Sequence, residues 1–229
     1  MHTADIEKFL AHGLKIMGLV LDNQAEALAR LSLYFQELDK WNRKINLVAR
    51  TLDGQQILEN HFLDSLTLLV FLEPEIREHI TLLDVGTGAG FPGLLLKAAC
   101  PQLAVTLVEP RKNRFYFLKH IARTLNLTGL SVYNIFLEEE CQALELSGHH
   151  FSFITSRALT DICRFIKLVS PYLEEDGRIV IMKGPGVISE LKDLARNGLF
   201  EQFRVAEKRK LLLPFSKKER WLVSFRKSD

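Results

Sequence analysis

Cysteine is scarce in this chain: Cys100, Cys141 and Cys163 are the only three in 229 residues, with no Cys-x-x-Cys spacing among them. That pattern argues against a disulfide frame, a structural zinc site or an iron–sulfur cluster, and it points to a reducing compartment, the cytoplasm. No metal is expected, because His61 has no second His or Cys at ligand spacing. Long apolar runs are missing too. Residues 66–72, interrupted by Thr67, fall far short of the roughly 20 needed to cross a bilayer, so no membrane association is expected. The start, Met1-His2-Thr3-Ala4-Asp5-Ile6-Glu7, lacks the basic and apolar regions of a secretory signal. An excess of one charge is also lacking: 30 Lys and Arg stand against 28 Asp and Glu, a net charge of +2. Any preference for a polyanion must therefore come from local clustering.

What is present is the composition of an ordinary globular protein, 47% hydrophobic and 25% charged. The length suits one α/β domain with an appendage, expected as a monomer. Through residues 1–75 apolar side chains recur at helical spacing, as in Ile6, Phe9, Leu10, Leu14 and again Leu28, Leu31, Leu33, Phe35, Leu38. A helical N-terminal extension packed on the core is expected there, and the core domain over 76–229. Beyond Pro74 short apolar runs alternate with amphipathic ones, the mark of βα units and a mainly parallel sheet. Strands are predicted at 80–85, 104–109, 130–134, 151–155, 178–182, 203–213 and 221–226, with helices between the first five. Pro214-Phe215-Ser216-Lys217-Lys218 is too short for a crossover helix, so the last two strands should form an antiparallel hairpin and complete a seven-stranded sheet.

The most informative segment runs from a buried strand into a glycine-rich turn: Leu82-Leu83-Asp84-Val85-Gly86-Thr87-Gly88-Ala89-Gly90-Phe91-Pro92-Gly93. Glycines there permit positive φ and let a ligand reach main-chain N–H groups. Gly88-Ala89-Gly90-Phe91-Pro92-Gly93 matches G-x-G-x-x-G, which keeps a dinucleotide fold open. Counting from Gly86, where the strand ends, the third required glycine is instead Phe91. Asp84 would repel a pyrophosphate but attract an ammonium group, which favours S-adenosylmethionine. Glu109, ending the second strand, suits the ribose hydroxyls of either cofactor.

Together with Lys40-Trp41-Asn42, His61-Phe62-Leu63-Asp64-Ser65, Ser156-Arg157-Ala158, Lys183-Gly184 and Glu219-Arg220, these residues make the chain resemble the class I methyltransferases. More narrowly, it resembles the bacterial 16S rRNA guanine-N7 methyltransferases, the glucose-inhibited division protein B family. The resemblance implies a Rossmann-like fold, S-adenosylmethionine as methyl donor and 16S rRNA or the small subunit as partner. It also implies donor contacts at Asp84, Gly86, Gly88, Phe91, Glu109, Leu137, Glu138 and Arg157, with Ile135-Phe136 a departure from the family pattern. A small-molecule methyltransferase and a non-catalytic nucleotide-binding cell-division protein stay open as alternatives.

Guanine N7 has a lone pair and no proton, so no general base is required. Arg157 and Lys183 are accordingly expected to position substrate rather than move protons, although Arg157 in a structural ion pair and Lys183 merely solvated are the plain alternatives. His61 and Asp64, three apart on a helix, should share a face and either cap the pocket or pair with each other. Trp41 reads as core or as a base-stacking ring. Two basic clusters, Arg111-Lys112-Asn113-Arg114 and the tail with Lys217, Lys218 and Arg220, are the candidate RNA contacts.

Overall fold

The computed structural model describes residues 1–72, 80–137, 146, 148–157, 161–194 and 202–228, apart from the side chains of 193 and 194. The first helix, α1 (Thr3–Met17), buries Ile6, Leu10 and Leu14 along one face. It stops at Gly18, whose φ of 67° lets Leu19 N–H reach back to the Leu14 carbonyl, the six-to-one closure of a left-handed cap. Helix α2 (Gln24–Asn42) buries Leu28, Leu31, Phe35 and Leu38. Leu33 falls on its outer side at 38% exposure, so not every apolar residue of the periodic run belongs to the core. At the end of α2 the Asn42 side-chain oxygen accepts from Leu47 and Val48 N–H and fixes the exit turn. Then follow α3 (Gly54–Ile57), opened by a capping box between Asp53 and Gln56, a π-helical turn (Leu58–Leu63), α4 (Asp64–Leu66) and α5 (Leu69–Leu72).

Seven strands form one sheet: β1 (Thr81–Val85), β2 (Ala104–Val108), β3 (Leu130–Tyr133), β4 (Phe151–Arg157), β5 (Leu173–Lys183), β6 (Phe203–Leu212) and β7 (Glu219–Lys227), in the order β3-β2-β1-β4-β5-β7-β6. The first five are parallel, and β7 pairs antiparallel with both β5 and β6. Each predicted strand is present and the hairpin forms as expected. One boundary differs clearly, since β5 begins at Leu173 rather than 178. Its opening Glu174-Glu175-Asp176 faces solvent and carries no apolar signal, while Leu173 pairs with Phe151 across an irregular register. Crossovers run through α6 (Gly93–Ala99), α7 (Lys112–Thr124) and α8 (Ile162–Val169), and α9 (Val187–Leu194) follows β5. The helix expected between β3 and β4 falls largely on 138–145 and 147, outside the described residues.

Side-chain alternation divides the core into two layers. Leu82, Val105, Phe153 and Met182 face α1, α2, α6 and α7 in one hydrophobic cluster, which also holds Phe62 and Leu66. Leu83, Ile154, Ile179 and Ile181 face Phe165, Ile166 and Val169 of α8 in the other. The strand order reverses between β1 and β4, and a crevice beyond the carboxyl ends of such strands is where ligands of doubly wound sheets bind.

Candidate functional site

At that reversal β1 runs into the glycine turn, where Gly86, Gly88 and Gly90 have φ of 70°, 62° and 94°. Their empty Cβ positions divide them by purpose. A Cβ on Gly86 would meet nothing within 4 Å, and one on Gly88 would come 3.6 Å from an Arg114 nitrogen at the tip of a flexible side chain. On Gly90 it would strike Tyr34 Oη at 2.1 Å, and on Gly93 it would strike Asp84 Cβ at 2.7 Å. The first two glycines therefore leave room on the ligand side, while the latter two serve packing.

Three side chains brace the turn. Glu109, 2% exposed, accepts from Gly88 N–H and Arg111 N–H at 2.8 Å each. Each oxygen keeps lone-pair capacity for a hydroxyl donor. Tyr34 of α2, fully buried, donates to the Ala89 carbonyl at 2.6 Å, and burial raises its pKa well above the usual value. Asp84 lies beneath the turn, where its Oδ2 accepts from Gly93 N–H at 2.8 Å. Its Oδ1 is buried without a partner, as is the Thr87 hydroxyl, which lies near enough to favour the ionised carboxylate without reaching hydrogen-bond geometry. Burial raises the Asp84 pKa to about 6, against the opposing pull of Thr87, Gly93 N–H and Arg157.

Arg157, at the end of β4, is held on several sides. It donates to the Asn60 carbonyl at 3.1 Å and to His61 Nδ1 at 2.7 Å, pairs with Asp64 at 3.6 Å, and lies 5.2 Å from the centre of the Phe91 ring. Because arginine can only donate, His61 Nδ1 must accept, and the ring carries its proton on Nε2. Burial, reinforced by Arg157 and Arg220, lowers the His61 pKa to about 3, so the imidazole is neutral. Asp64 also binds Arg220 at 2.9 Å, and burial raises its pKa against both arginines. His61 and Asp64 thus share a partner and do not pair with each other. Next to them, Glu59 accepts from Phe215 and Ser216 N–H at 2.7 Å each, and Lys218 reaches the Asn60 side chain at 3.0 Å. The π-helical turn and its neighbour α4 thereby join the hairpin turn to the end of β4. A cavity of about 470 Å³ opens here, lined among others by His61, Asp64, Arg157, Met182, Lys183 and Arg220.

The candidate residues separate accordingly. Asp84, Gly86, Gly88 and Glu109 converge on the turn, and Ser156 donates to the Val85 carbonyl, so the ends of β1 and β4 are tied at 2.8 Å. The Phe91 ring is buried at 3% behind the turn, against His61 and Tyr34. Leu137 is buried at 7%, whereas Glu138 and Ala158 lie outside the described residues. Lys183 pairs with Glu190 at 2.9 Å. Arg111 and Lys112 are exposed and Arg114 is half-buried; they line a groove of about 350 Å³ with Ile45 and Asn46. Lys217 and Lys218 are exposed on the hairpin turn, while Arg220 is half-buried against Asp64. Trp41 packs on Phe117 and His120. Sequence reasoning missed Tyr34 and Glu59. Nothing in a lone tyrosine or glutamate on an amphipathic segment signals a partner 55 or 156 residues away.

Among the described residues no group of three or more His, Cys, Asp or Glu could hold a metal ion, and no helix is long and apolar enough to cross a membrane. The features at the turn suit S-adenosylmethionine: room above Gly86 and Gly88, hydroxyl acceptors on Glu109, and beneath the turn a buried carboxylate whose Oδ1 has no hydrogen-bond partner and whose negative charge complements an ammonium-bearing ligand.

Residues 27–219 match the family described as rRNA small subunit methyltransferase G. The chain is 41% identical over 225 residues to the ribosomal RNA small subunit methyltransferase G of Desulfotalea psychrophila, covering 97% of this chain and 99% of that protein. It is 39% identical to the protein of the same name from Myxococcus xanthus, over 99% of this chain and 100% of the relative. Solved structures sharing the fold include the ribosomal protein L11 methylase of Lactobacillus delbrueckii, with a TM-score of 0.55 and 15% identity over 74% of this chain and 79% of that one. The N-methyltransferase NodS of Bradyrhizobium japonicum, in complex with S-adenosyl-L-homocysteine, gives 0.55 and 14% over 86% and 99%.

Proposed function

The chain belongs to the rRNA small subunit methyltransferase G family, and from that premise we propose that it methylates N7 of a guanine in 16S rRNA with S-adenosylmethionine as donor. The observation that carries the reading is the pair Gly86 and Gly88, left-handed and open on the ligand side, set between the carboxylates of Glu109 and Asp84. A small-molecule methyltransferase would use the same turn. What favours RNA is the exposed basic surface at Arg111 and Lys112, where α7 begins, and at Lys217 and Lys218 on the hairpin turn.

When bound, S-adenosylmethionine supplies a methyl group already activated by its sulfonium. The main chain at Gly86 and Gly88 accommodates the donor closely, and Glu109 accepts from its ribose hydroxyls. Asp84 offers negative charge to its ammonium group, and Phe91, Leu137 and Glu138 are assigned to its apolar and adenine surroundings. Arg157 belongs where the donor site meets the 470 Å³ cavity, and Lys183 at the cavity's rim. Both are ion-paired, so each offers donors of fixed direction that orient an acceptor-rich base edge. His61 is neutral and no base is needed for N7, so the protein's tasks are alignment and exclusion of water. The enzyme acts as a monomer in the cytoplasm, away from membranes, on 16S rRNA or the small subunit.

The test is to supply methyl-labelled donor with either bulk rRNA or a metabolite extract. Label that enters rRNA and is released by RNase supports the reading. Label confined to small molecules refutes it.

A further inference from the structure

Helix α7 begins directly beyond Glu109 and is unusual in charge: Lys112, Arg114, Lys119 and Arg123 lie on it without one Asp or Glu. At 100° per residue, Lys112, Tyr116, Lys119 and Arg123 fall on one stripe. The buried Phe117, Leu118 and Ile121 fall on the opposite side, against the core. The outer stripe is thus a basic face with one aromatic ring at its centre. Tyr116 is 49% exposed, although an aromatic ring normally buries most of its area. The Lys112 ammonium lies 6.0 Å from the Tyr116 ring centre, and Phe115, itself beneath Lys119, packs at 5.5 Å against Tyr116. The other side of the same helix meets the donor site, since Arg114, about 200° round from Lys112, lies beside the open Cβ position of Gly88.

Resting on the rRNA reading above, we propose that the outer face of α7 is a stacking platform for one unpaired nucleotide of the RNA that carries the target guanine, its base on Tyr116 and its phosphates on Lys112 and Lys119. Three features favour a single-stranded RNA segment as the occupant. The face is cationic and acid-free, so it complements phosphate. A flat ring between cations suits a base followed by its backbone, as in sequence-tolerant single-strand binding. A base within a duplex has no free face, so the segment must be a loop, a bulge or splayed-out strand. The Lys112 stem is flexible enough to yield the ring to a base and to move to the adjoining phosphate.

The experiment measures binding of the full-length protein, with S-adenosylhomocysteine present, to 16S rRNA and to small subunits from cells lacking it, over a range of salt. Tyr116→Ala and Tyr116→Leu should each lower affinity by about 5- to 160-fold at every salt concentration, the size of one lost base stack. The log–log salt slope should not change, and Tyr116→Trp should bind like wild type with its added fluorescence quenched by the RNA. Lys112→Ala should instead reduce the slope by about 0.7. Unchanged affinity in both Ala and Leu variants, or an unquenched tryptophan in a protein that still binds, overturns the platform. Wild-type protein that binds neither probe refutes the rRNA reading itself, and the platform falls with it. Equal S-adenosylhomocysteine affinity across the variants establishes that they are folded.

Discussion

Replacing Gly86 by alanine adds one methyl group in a space where no atom beyond its own chain neighbours lies within 4 Å, at a backbone φ of 70°. Folding then loses only the left-handed preference of glycine, about 1–2 kcal/mol. In a chain of this size each kcal/mol corresponds to roughly 2–4 °C of melting temperature. Gly90→Ala differs, because its methyl would meet Tyr34 Oη at 2.1 Å and Leu94 Cβ at 2.8 Å. That overpacking costs about 1–3 kcal/mol, and displacement of the Tyr34–Ala89 hydrogen bond adds roughly 1 kcal/mol to the left-handed strain. The assay is thermal unfolding with and without S-adenosylhomocysteine. At 100 times its dissociation constant a ligand adds about 2.7 kcal/mol, or roughly 5–10 °C here. Wild-type protein should show that rise. The Gly86→Ala variant should melt slightly lower and lose the rise, whereas Gly90→Ala should melt much lower even without ligand. A full ligand-induced rise in Gly86→Ala would refute the assignment of the open space to the donor.

Asp84 gives a pH prediction of definite sign. Its folded-state pKa of about 6 lies above the ordinary 3.8, so its ionised form is a cost to folding at neutral pH, on the order of 3 kcal/mol, relieved as pH falls from about 6 towards 4. Thermal melts from pH 4 to 8 should therefore find Asp84→Asn gaining on wild type at high pH and losing the advantage at low pH; a pH-independent difference contradicts this. Wild-type donor affinity should fall as pH drops through 6, read by calorimetric titration. Asp64→Ala removes the carboxylate that Arg157 and Arg220 share, and since both are partly exposed and keep other acceptors the loss should be near the lower end of about 3–5 kcal/mol. A drop of roughly 6–12 °C in melting temperature is expected, and an unchanged melt would mean that the two ion pairs are screened. Lys217→Glu with Lys218→Glu should weaken rRNA binding and flatten its salt dependence while donor affinity stays intact, which filter binding and donor titration together check.

The glycine turn, the seven strands and the terminal hairpin were legible in the sequence because each is a local pattern. Alternation, a run of glycines after a buried strand, and a five-residue link between apolar segments all act within a few residues. The sequence alone shortens β5 because Glu174-Glu175-Asp176 carries no apolar signal, and the pairing of its first residue is decided by Phe151 on the neighbouring strand. Helical spacing alone put Leu33 with the core, though its side of α2 faces solvent. At the site, Asp84 and Glu109 announced themselves by ending strands beside the turn. The union of Glu59, Asn60 and Asp64 with the hairpin turn did not, since it joins residues some 156 apart in sequence. Helical spacing correctly put His61 and Asp64 near one another, but no local rule could reveal that Arg157 stands between them as their shared partner.

The most direct measurement is a map of N7-methylguanosine in 16S rRNA from cells that contain the protein, cells that lack it, and cells given back either wild type or Gly86→Ala. One methylated guanine should be present with the wild-type protein, absent without it, restored by wild type and not by Gly86→Ala. An unchanged map in cells lacking the protein, or full restoration by Gly86→Ala, would contradict the account.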